Sequence, residues 1–247
     1  MPINISTCAV VLAAGKGTRM QSDIPKVLHL LHGRSLIDLT LSQVNQSAIN
    51  QTVVVVGYAK SAVVAEIESH KYSVDFALQD QQLGTGHAVQ MAIPQIKSNT
   101  STVIVTYGDM PFVSSDIFNQ LIAKQQQTNA AVVLTSVFFD DPMKPAFGRI
   151  KRDINGRIEK IVEQKVASPA ELKIQECNAG PVAYDYQWLI KALPKLKRNP
   201  QSQEYYLTDL AEEACLEGRL VESIVAENEN EVFGINTVEH LSQAILI

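Results

Sequence analysis

The sequence contains few cysteines, and they lie far apart. Cys8, Cys177 and Cys215 are the three cysteines in 247 residues, and they form no C-x-x-C pair. An odd number of widely spaced cysteines supports neither a disulfide framework nor a zinc knuckle. We therefore expect three free thiols and a protein of the reducing cytoplasm.

Long hydrophobic runs are also missing near the N-terminus. The longest apolar run there, residues 8–14, follows no basic segment and leads into Gly15-Lys16 instead of a small-residue cleavage site. A membrane helix needs about 20 apolar residues, and a signal peptide needs both of those flanks. We interpret the run as a buried strand and expect no membrane association.

Positive charge is in deficit, with 21 Lys and Arg against 26 Asp and Glu, a net charge of −5. A general nucleic-acid or anionic-lipid binder needs a net positive face, so we expect neither partner. Residues 1–34 nevertheless carry four cations and one acid, a net charge of +3 that leaves −8 for the remainder. This asymmetry favours a small anionic ligand.

Apolar β-branched runs alternate with segments of helical spacing in the first 140 residues. The runs that predict strands are Cys8–Leu12, Thr52–Val56, Val74–Leu78, Thr102–Thr106 and Ala131–Phe138. The segments that predict helices are Leu36–Val44, Ala62–Glu68, Ala88–Ile93 and Ser115–Lys124. Alternation of this kind predicts an α/β fold with an open, mostly parallel sheet and helices on both faces.

The pattern changes after Asp140. Asn155-Gly156 separates the alternating runs 149–152 and 157–162, which predicts an antiparallel hairpin. Further helices are predicted at Gln187–Leu193 and Leu207–Glu217. No Gly/Ser linker or internal repeat divides the chain, so we expect residues 1–247 to form a single domain with a smaller antiparallel insertion.

A glycine turn follows the first predicted strand. Residues 12–20 read Leu-Ala-Ala-Gly-Lys-Gly-Thr-Arg-Met. Such a turn faces the ligand crevice of an open α/β sheet, where its backbone N–H groups can cradle a phosphate. A Walker loop and a dinucleotide fingerprint are both excluded, since Met20 stands where the latter needs glycine. An ordinary turn would also satisfy the spacing, but Pro25 precedes a further cation, Lys26.

These residues resemble a known family. The stretch Leu12-Ala13-Ala14-Gly15-Lys16-Gly17-Thr18-Arg19-Met20 with Pro25-Lys26 is similar to the signature of the sugar nucleotidyltransferases, or nucleoside-diphosphate-sugar pyrophosphorylases. Seven further blocks follow in order and resemble the uridylyltransferase half of the bacterial bifunctional N-acetylglucosamine-1-phosphate uridyltransferases. They are Gln79-Asp80-Gln81-Gln82-Leu83-Gly84-Thr85-Gly86-His87-Ala88, Tyr107-Gly108-Asp109-Met110-Pro111, Gly148-Arg149-Ile150, Ile161-Val162-Glu163-Gln164-Lys165, Asn178-Ala179-Gly180, Glu204-Tyr205-Tyr206-Leu207-Thr208-Asp209 and Gly234-Ile235-Asn236.

The resemblance implies a Rossmann-like nucleotidyltransferase fold and a reaction. UMP would pass from UTP to N-acetylglucosamine-1-phosphate with release of pyrophosphate, and Arg19 and Lys26 would stabilise the charge on the reacting phosphates. It also implies a Mg²⁺ cofactor held by Asp109 and Asn236. Residues 1–140 would form the nucleotide-binding part and residues 141–247 the sugar-binding part.

The remaining roles also come from the resemblance. The nucleotide would be bound by the glycine turn, with uracil held by the backbone of Ala13 and Ala14, by the Gln79 amide and by the loop of Gly84 and Thr85. The nucleotide-binding set is Leu12, Ala13, Ala14, Gly15, Lys16, Gly17, Gln79, Gly84 and Thr85. The sugar phosphate would be bound by Tyr107, Gly108, Gly148, Glu163, Lys165, Asn178, Tyr206 and Thr208. We interpret His87 as a helix-start or packing residue because the reaction needs no base.

Two departures from the family pattern leave questions open. Ala179 stands in place of the threonine of the family's Asn-Thr-Gly, so another sugar-1-phosphate, such as glucose-1-phosphate, or another nucleotide is an alternative substrate. The resemblance ends at Ile247, where the bifunctional enzymes continue into a left-handed β-helix. We therefore expect no acetyltransferase here, and we leave open both the oligomeric state and whether the chain is a fragment. A catalytically silent nucleotide-sugar-binding subunit is the alternative from another class.

Overall fold

A computed structural model describes residues 6–141 and 147–247 of the chain. In these residues the main sheet has nine strands. Seven run in the order β11-β7-β10-β6-β1-β4-β5, and the hairpin β8-β9 joins the sheet through β10. The strands are β1 Ser6–Ala13, β4 Gln51–Val56, β5 Asp75–Leu78, β6 Thr100–Tyr107, β7 Val132–Phe138, β8 Arg149–Arg152, β9 Ile158–Val162, β10 Glu176–Asp185 and β11 Val221–Val225, while β2 Leu30–Leu31 and β3 Arg34–Ser35 form a separate two-stranded sheet.

Four of the six pairings along the seven-strand order are parallel, as predicted. Strand β1 pairs in parallel with β4 and β6, β4 with β5, and β11 with β7, whereas β10 is antiparallel to both neighbours. The carboxyl ends of β1, β4, β5 and β6 therefore meet at one edge of the sheet. The end of β1 with the turn that follows it, and the segment that follows β5, carry the predicted nucleotide-binding residues.

Both faces of the sheet are buried, because alternate side chains of each strand point to opposite faces. Val10 and Val53 belong to one apolar core and Ala9 and Val54 to the other, all fully buried. The first core includes residues of α3 Thr85–Ala92, α5 Tyr186–Ala192 and α6 Asp209–Leu216; the second includes residues of α1 Leu36–Gln46, α2 Lys60–Ser69 and α4 Ser115–Thr128. The predicted fold class is thus confirmed.

Four of the described helices, α1, α4, α5 and α7 Val238–Ala244, begin where a side chain satisfies a free backbone N–H group. Ser35 accepts a hydrogen bond from the Asp38 N–H at the start of α1, and Asp185 accepts one from Trp188 at the start of α5. The predicted helices are all present, with ends shifted by a few residues; α4, for example, continues to Thr128 and ends at Asn129 in the left-handed conformation. The C-terminal helix α7, Val238–Ala244, completes the set in the described part of the chain.

Strand β10 was not among the predicted strands, and its sequence explains why. Pro181 removes a backbone donor and Gly180 has a φ of 108°, both unusual inside a sheet. The register confirms an irregularity, since Asn178 pairs with Ser136 but Val182 pairs with Leu134, so β10 carries two extra residues. This bulge lies beside the candidate site. The predicted hairpin is present as β8 and β9, but it extends the main sheet, through a pairing of Cys177 with Arg149.

A buried carboxylate links α1 to the loop after α2. Asp38 accepts hydrogen bonds from the Arg34 guanidinium at 2.6 Å and from the Tyr72 hydroxyl at 2.6 Å, and its side chain is 2% exposed. Burial alone would raise the pKa of Asp38, but the hydrogen bonds from Arg34 and Tyr72 outweigh it and hold the pKa below its usual value. Arg34 is therefore committed to the fold and is not one of the cleft cations.

No helix within residues 6–141 and 147–247 combines the length and the apolarity that crossing a bilayer requires.

Candidate active site

The glycine turn leaves β1 at the edge where the strand ends meet. Gly108, after β6, donates from its N–H to the Leu12 carbonyl at 3.0 Å, and Tyr58, after β4, donates to the Ala14 carbonyl at 3.0 Å. These bonds hold three strand ends together. The exposed Gly15 and Lys16 follow, with the Lys16 ammonium 5.4 Å above the Tyr58 ring.

Gly17 allows Lys26 to lie against the turn. Its φ of 67° is a left-handed conformation that favours glycine, and a Cβ built there would stand 2.5 Å from the Lys26 Cβ. Gly17 also precedes the short 3₁₀ helix Thr18–Met20, which presents Arg19, and Pro25 precedes a second one, Lys26–Leu28. Because the two segments pack without a side chain between them, both predicted catalytic cations reach the same cleft.

Lys26 lies at the centre of a polar cluster. Its Nζ forms an ion pair with Asp109 Oδ2 and donates to Asn236 Oδ1 at 2.9 Å, and Arg19 donates to the same Asn236 oxygen at 3.1 Å. The Lys26 and Asp109 side chains are 18% and 9% exposed. A bond of 2.9 Å from the Ile235 N–H to the Asp109 carbonyl holds the two predicted metal-ligand segments together. The structure therefore brings together both predicted catalytic and both predicted metal residues.

The donor set of this cluster suits Mg²⁺. A carboxylate oxygen and an amide oxygen, from residues far apart in sequence, converge on one positively charged nitrogen. Magnesium takes one or two protein oxygens and fills its other positions with phosphate and water. Across the described residues, His, Cys, Asp and Glu form no group of three or more that could hold a metal ion. A group of three or more such residues suits a metal ion whose ligands all come from the protein, whereas Asp109 with Asn236 suits a metal ion that also binds phosphate oxygens.

The first of two adjoining clefts has a volume of about 400 Å³ and a mixed polar and apolar wall. It contains most of the predicted nucleotide-binding residues. Its lining comprises Leu12, Ala13, Ala14, Gly15, Arg19, Lys26, Val27, Gln79, Gln82, Gly84, Thr85, Ala88, Tyr107, Asp109, Glu204 and Tyr206. Tyr206, predicted to bind the sugar, lies on this wall instead. The predicted residues Lys16, Gly17 and Gly108 line neither cleft. Lys16 lies over the Tyr58 ring, Gly17 packs against Lys26, and Gly108 donates to the Leu12 carbonyl.

The Gln79 amide is held in one orientation. Its nitrogen donates to the Gly84 carbonyl at 3.0 Å and lies 3.1 Å from Nδ1 of His87, and the side chain is buried. His87 lies in the first turn of α3, in agreement with the prediction of a helix-start residue. Because both of these contacts involve the nitrogen, the amide oxygen is the atom available to a ligand as an acceptor.

The second cleft has a volume of about 340 Å³ and shares Lys26, Tyr107 and Asp109 with the first. Its lining is Lys26, Tyr107, Asp109, Met110, Phe147, Gly148, Glu163, Asn178, Ala179, Gly180, Thr208, Gly234 and Asn236. Five of the predicted sugar-binding residues, Tyr107, Gly148, Glu163, Asn178 and Thr208, are among them. Lys165 lies in the 3₁₀ helix Gln164–Val166, but its side chain falls outside the described part of the chain.

The second cleft contains several polar groups that can form hydrogen bonds with a ligand. Thr208 donates from its hydroxyl to Glu163 Oε1 at 3.0 Å, although it occupies the N-cap position of α6. Asn178 is buried, and its side-chain oxygen has no hydrogen-bond partner among the residues that the structure describes. Burial, followed by the charges of Asp109 and Glu163, raises the pKa of Tyr107, so its hydroxyl stays a neutral donor. An unpaired buried oxygen is costly, so a ligand donor at Asn178 would stabilise the site.

Several cleft residues were absent from the sequence-based set. Gln82 and Glu204 line the first cleft, and Met110 and Phe147 line the second. Gln82, Glu204 and Met110 lie inside the motif blocks, within two residues of a selected residue, so their position in a motif was the signal that could have found them. Phe147 directly precedes the Gly148 block and had no such signal.

The comparisons define the class of protein. Residues 9–174 match the family described as the MobA-like NTP transferase domain. Since this match covers more than half of the chain, the chain belongs to the MobA-like NTP transferase domain family, a family of nucleotidyltransferases. The resemblance inferred from the motifs is therefore confirmed.

The similar curated proteins are more specific. Proteins named "Bifunctional protein GlmU" are 40% identical over 243 residues in Corynebacterium efficiens, 37% identical over 236 residues in Exiguobacterium sibiricum and 38% identical over 238 residues in Levilactobacillus brevis. These matches cover 96–97% of this chain but 50–51% of the relatives, so the chain spans about half their length.

A solved structure confirms the fold. The 4-diphosphocytidyl-2C-methyl-D-erythritol synthase of Anaerococcus prevotii superposes with a TM-score of 0.69 at 17% identity and covers 98% of this chain and 95% of its own. At this identity the likeness concerns the fold alone.

Proposed function

We propose that this chain transfers UMP from UTP to N-acetylglucosamine-1-phosphate, giving UDP-N-acetylglucosamine and pyrophosphate, with Mg²⁺ as cofactor. The observation that carries the proposal is the pair of clefts that meet at Lys26 and Asp109. A transfer between two phosphates needs both substrates bound side by side, with cations where they meet. The relatives named bifunctional GlmU support this choice of substrates.

In the nucleotide cleft, the turn that contains Gly15 would bind the triphosphate through its N–H groups, and Arg19 would add charge. The free oxygen of the Gln79 amide would accept the N3–H of uracil. Cytosine has no proton at N3, so an amide fixed in this orientation favours UTP over CTP. His87 contacts the Gln79 amide through Nδ1 and would hold it in this orientation, and the reaction needs no base.

In the sugar cleft, the unpaired Asn178 oxygen would accept a hydrogen bond from a sugar hydroxyl or from the acetamido N–H. Glu163 and Thr208 would bind further hydroxyls, and Tyr107 would donate to the ligand. Lys165 would add positive charge near the sugar phosphate, a role that rests on the family resemblance.

The chemical step would be an in-line displacement. A phosphate oxygen of the sugar phosphate attacks the α-phosphorus of UTP, forming one P–O bond as the bond to pyrophosphate breaks with its electron pair. The nucleophile is already an anion, so no proton has to be removed. Lys26 and Arg19 stabilise the negative charge that builds up around the phosphorus. Mg²⁺ held by Asp109 and Asn236 would supply further neutralisation of the phosphates.

We further propose that the chain works as one domain of a cytoplasmic protein. Strand β10, from the predicted sugar-binding part, lies between β6 and β7 in the main sheet. The sheet cannot be divided at residue 140 without separating these pairs. Free cysteines, two of them buried, are suited to a reducing compartment.

A second candidate uses glucose-1-phosphate. Ala179 lines the sugar cleft beside Gly180, whose missing Cβ lets Met110 Sδ approach to 2.7 Å of the position a Cβ would take. This wall is therefore apolar and close, which suits a smaller 2-substituent than an acetamido group.

Pyrophosphate release tests both candidates. The purified chain with Mg²⁺ should be assayed with four nucleoside triphosphates against N-acetylglucosamine-1-phosphate, glucosamine-1-phosphate and glucose-1-phosphate. We expect turnover with UTP and N-acetylglucosamine-1-phosphate, and preference for glucose-1-phosphate would support the second candidate. Binding of UDP-sugar by calorimetry without turnover of any pair would instead identify a silent binding subunit.

A further inference from the structure

We propose that the Lys26 ammonium and a divalent cation compete for the same two oxygens, so that the chain binds the metal tightly only when an anionic ligand draws Lys26 away. The proposal rests on the proposed function in one respect, that this ligand carries phosphates. The competition itself concerns Lys26, Asp109 and Asn236, with Arg19 as a second donor to the Asn236 oxygen, and requires no turnover.

The geometry places one cation on both metal-ligand oxygens. Lys26 Nζ contacts Asp109 Oδ2 and lies 2.9 Å from Asn236 Oδ1. The two oxygens belong to segments that follow β6 and the 3₁₀ helix Glu229–Val232, and Lys26 reaches them from a third segment. The ammonium thus bonds to the very oxygens that suit magnesium.

Lys26 and a metal ion cannot share these oxygens. Two positive charges within one coordination distance repel each other, and the low exposure of Lys26 and Asp109 limits screening by water. The metal must therefore displace the ammonium, at the cost of a charge-assisted hydrogen bond. We expect this cost to weaken metal binding by about tenfold or more.

Lys26 has another place to go when a phosphate is present. Its flexible four-carbon stem packs against Gly17, and it lines both clefts, within the reach of an anion in the glycine turn. A bound phosphate attracts the ammonium and leaves Asp109 and Asn236 to the metal. Nucleotide and metal would therefore enter the site together, and the metal alone would bind weakly.

Mn²⁺ binding without nucleotide tests the competition. Electron paramagnetic resonance titration should show at least about tenfold tighter Mn²⁺ binding to Lys26→Met than to the unaltered chain. The matched control is Lys16→Met, which removes a charge of the same sign from the neighbouring glycine turn, where Lys16 lies over Tyr58. Equal affinities of Lys26→Met and the unaltered chain would overturn the proposal. Equal tightening by Lys16→Met would also overturn it, because it would show a general charge effect.

A second measurement uses the unaltered chain, in case Lys26→Met does not fold. Acetic anhydride should acetylate Lys26 faster as MgCl2 displaces its amine from Asp109, while Lys16 is unaffected at matched ionic strength; peptide mass spectrometry reports both. An unchanged rate at Lys26 would refute the competition. Failure of the proposed function would appear separately, as absent pyrophosphate release with normal metal competition.

Discussion

Substituting Gly17 by alanine tests how closely the site depends on the turn. The added Cβ would lie 2.5 Å from the Lys26 Cβ, and a carbon–carbon contact needs at least about 3.4 Å, so Lys26 must move by about 0.9 Å. The substitution also places a Cβ at a φ of 67°, which costs about 1 kcal/mol. A displacement of about 1 Å in a positioning group can reduce the rate by about 100-fold, equivalent to about 2.7 kcal/mol of transition-state stabilisation.

The assay is kcat/KM for pyrophosphate release, paired with urea unfolding. Gly156→Ala is the matched control, because Gly156 also has a positive φ of 79° but no atom in residues 6–141 or 147–247 lies within 4 Å of the added Cβ. Both variants should lose about 1 kcal/mol of unfolding free energy, and only Gly17→Ala should lose activity. If Gly17→Ala kept kcat/KM within about threefold of the unaltered chain, the claim that the turn positions Lys26 would be refuted.

Three further predictions follow from the described contacts. EDTA should abolish pyrophosphate release and Mg²⁺ should restore it; activity that persists in EDTA would contradict the metal role. Asp109→Asn should lower kcat by about 100-fold or more and raise the Mg²⁺ concentration needed for half-maximal activity. His87→Ala should free the Gln79 amide to rotate, so the preference for UTP over CTP should fall about tenfold in kcat/KM, and an unchanged preference would show that His87 does not orient it. Asp38→Asn should cost about 1–3 kcal/mol of unfolding free energy at pH 7. Because the pKa of Asp38 is lowered in the fold, this difference should hold above about pH 5 and shrink as the pH falls below about 4. Urea unfolding at each pH measures it.

The part of the fold that repeats strand and helix was predictable from the sequence. A strand such as β1 is buried on both faces, so its continuous apolar run is a direct physical signal. Strand β10 gave no such signal, because its pairing with β6 and β7 depends on partners far away in the sequence. Its Gly180 and Pro181 argued against a strand, and the bulge that tolerates them becomes visible only in the register with β7.

The candidate site was also predictable from the sequence only in part. Residue types in ordered motifs were sufficient to select Lys26, Asp109 and Asn236, and the structure brings them together. The sequence could not reveal that Lys26 bonds to both predicted metal ligands, since that contact joins segments 83 and 210 residues apart. It also could not divide the residues between the clefts: Tyr206, predicted to bind the sugar, lines the first cleft.

Residues 83–86, at the first cleft, and residues 205–207, which lead to the second cleft, form one hydrogen-bonded unit. Tyr205 donates to the Leu83 carbonyl and accepts from the Gly86 N–H, both at 2.8 Å, and Leu207 donates from its N–H to the Thr85 hydroxyl at 3.0 Å. A Cβ at Gly84 would lie 2.7 Å from the Tyr205 carbonyl, so the close approach depends on glycine at that position. These bonds hold the two segments in one fixed arrangement. Because Thr208 directly follows Leu207, the same bonds also fix the distance between the Thr85 loop of the first cleft and a polar group of the second.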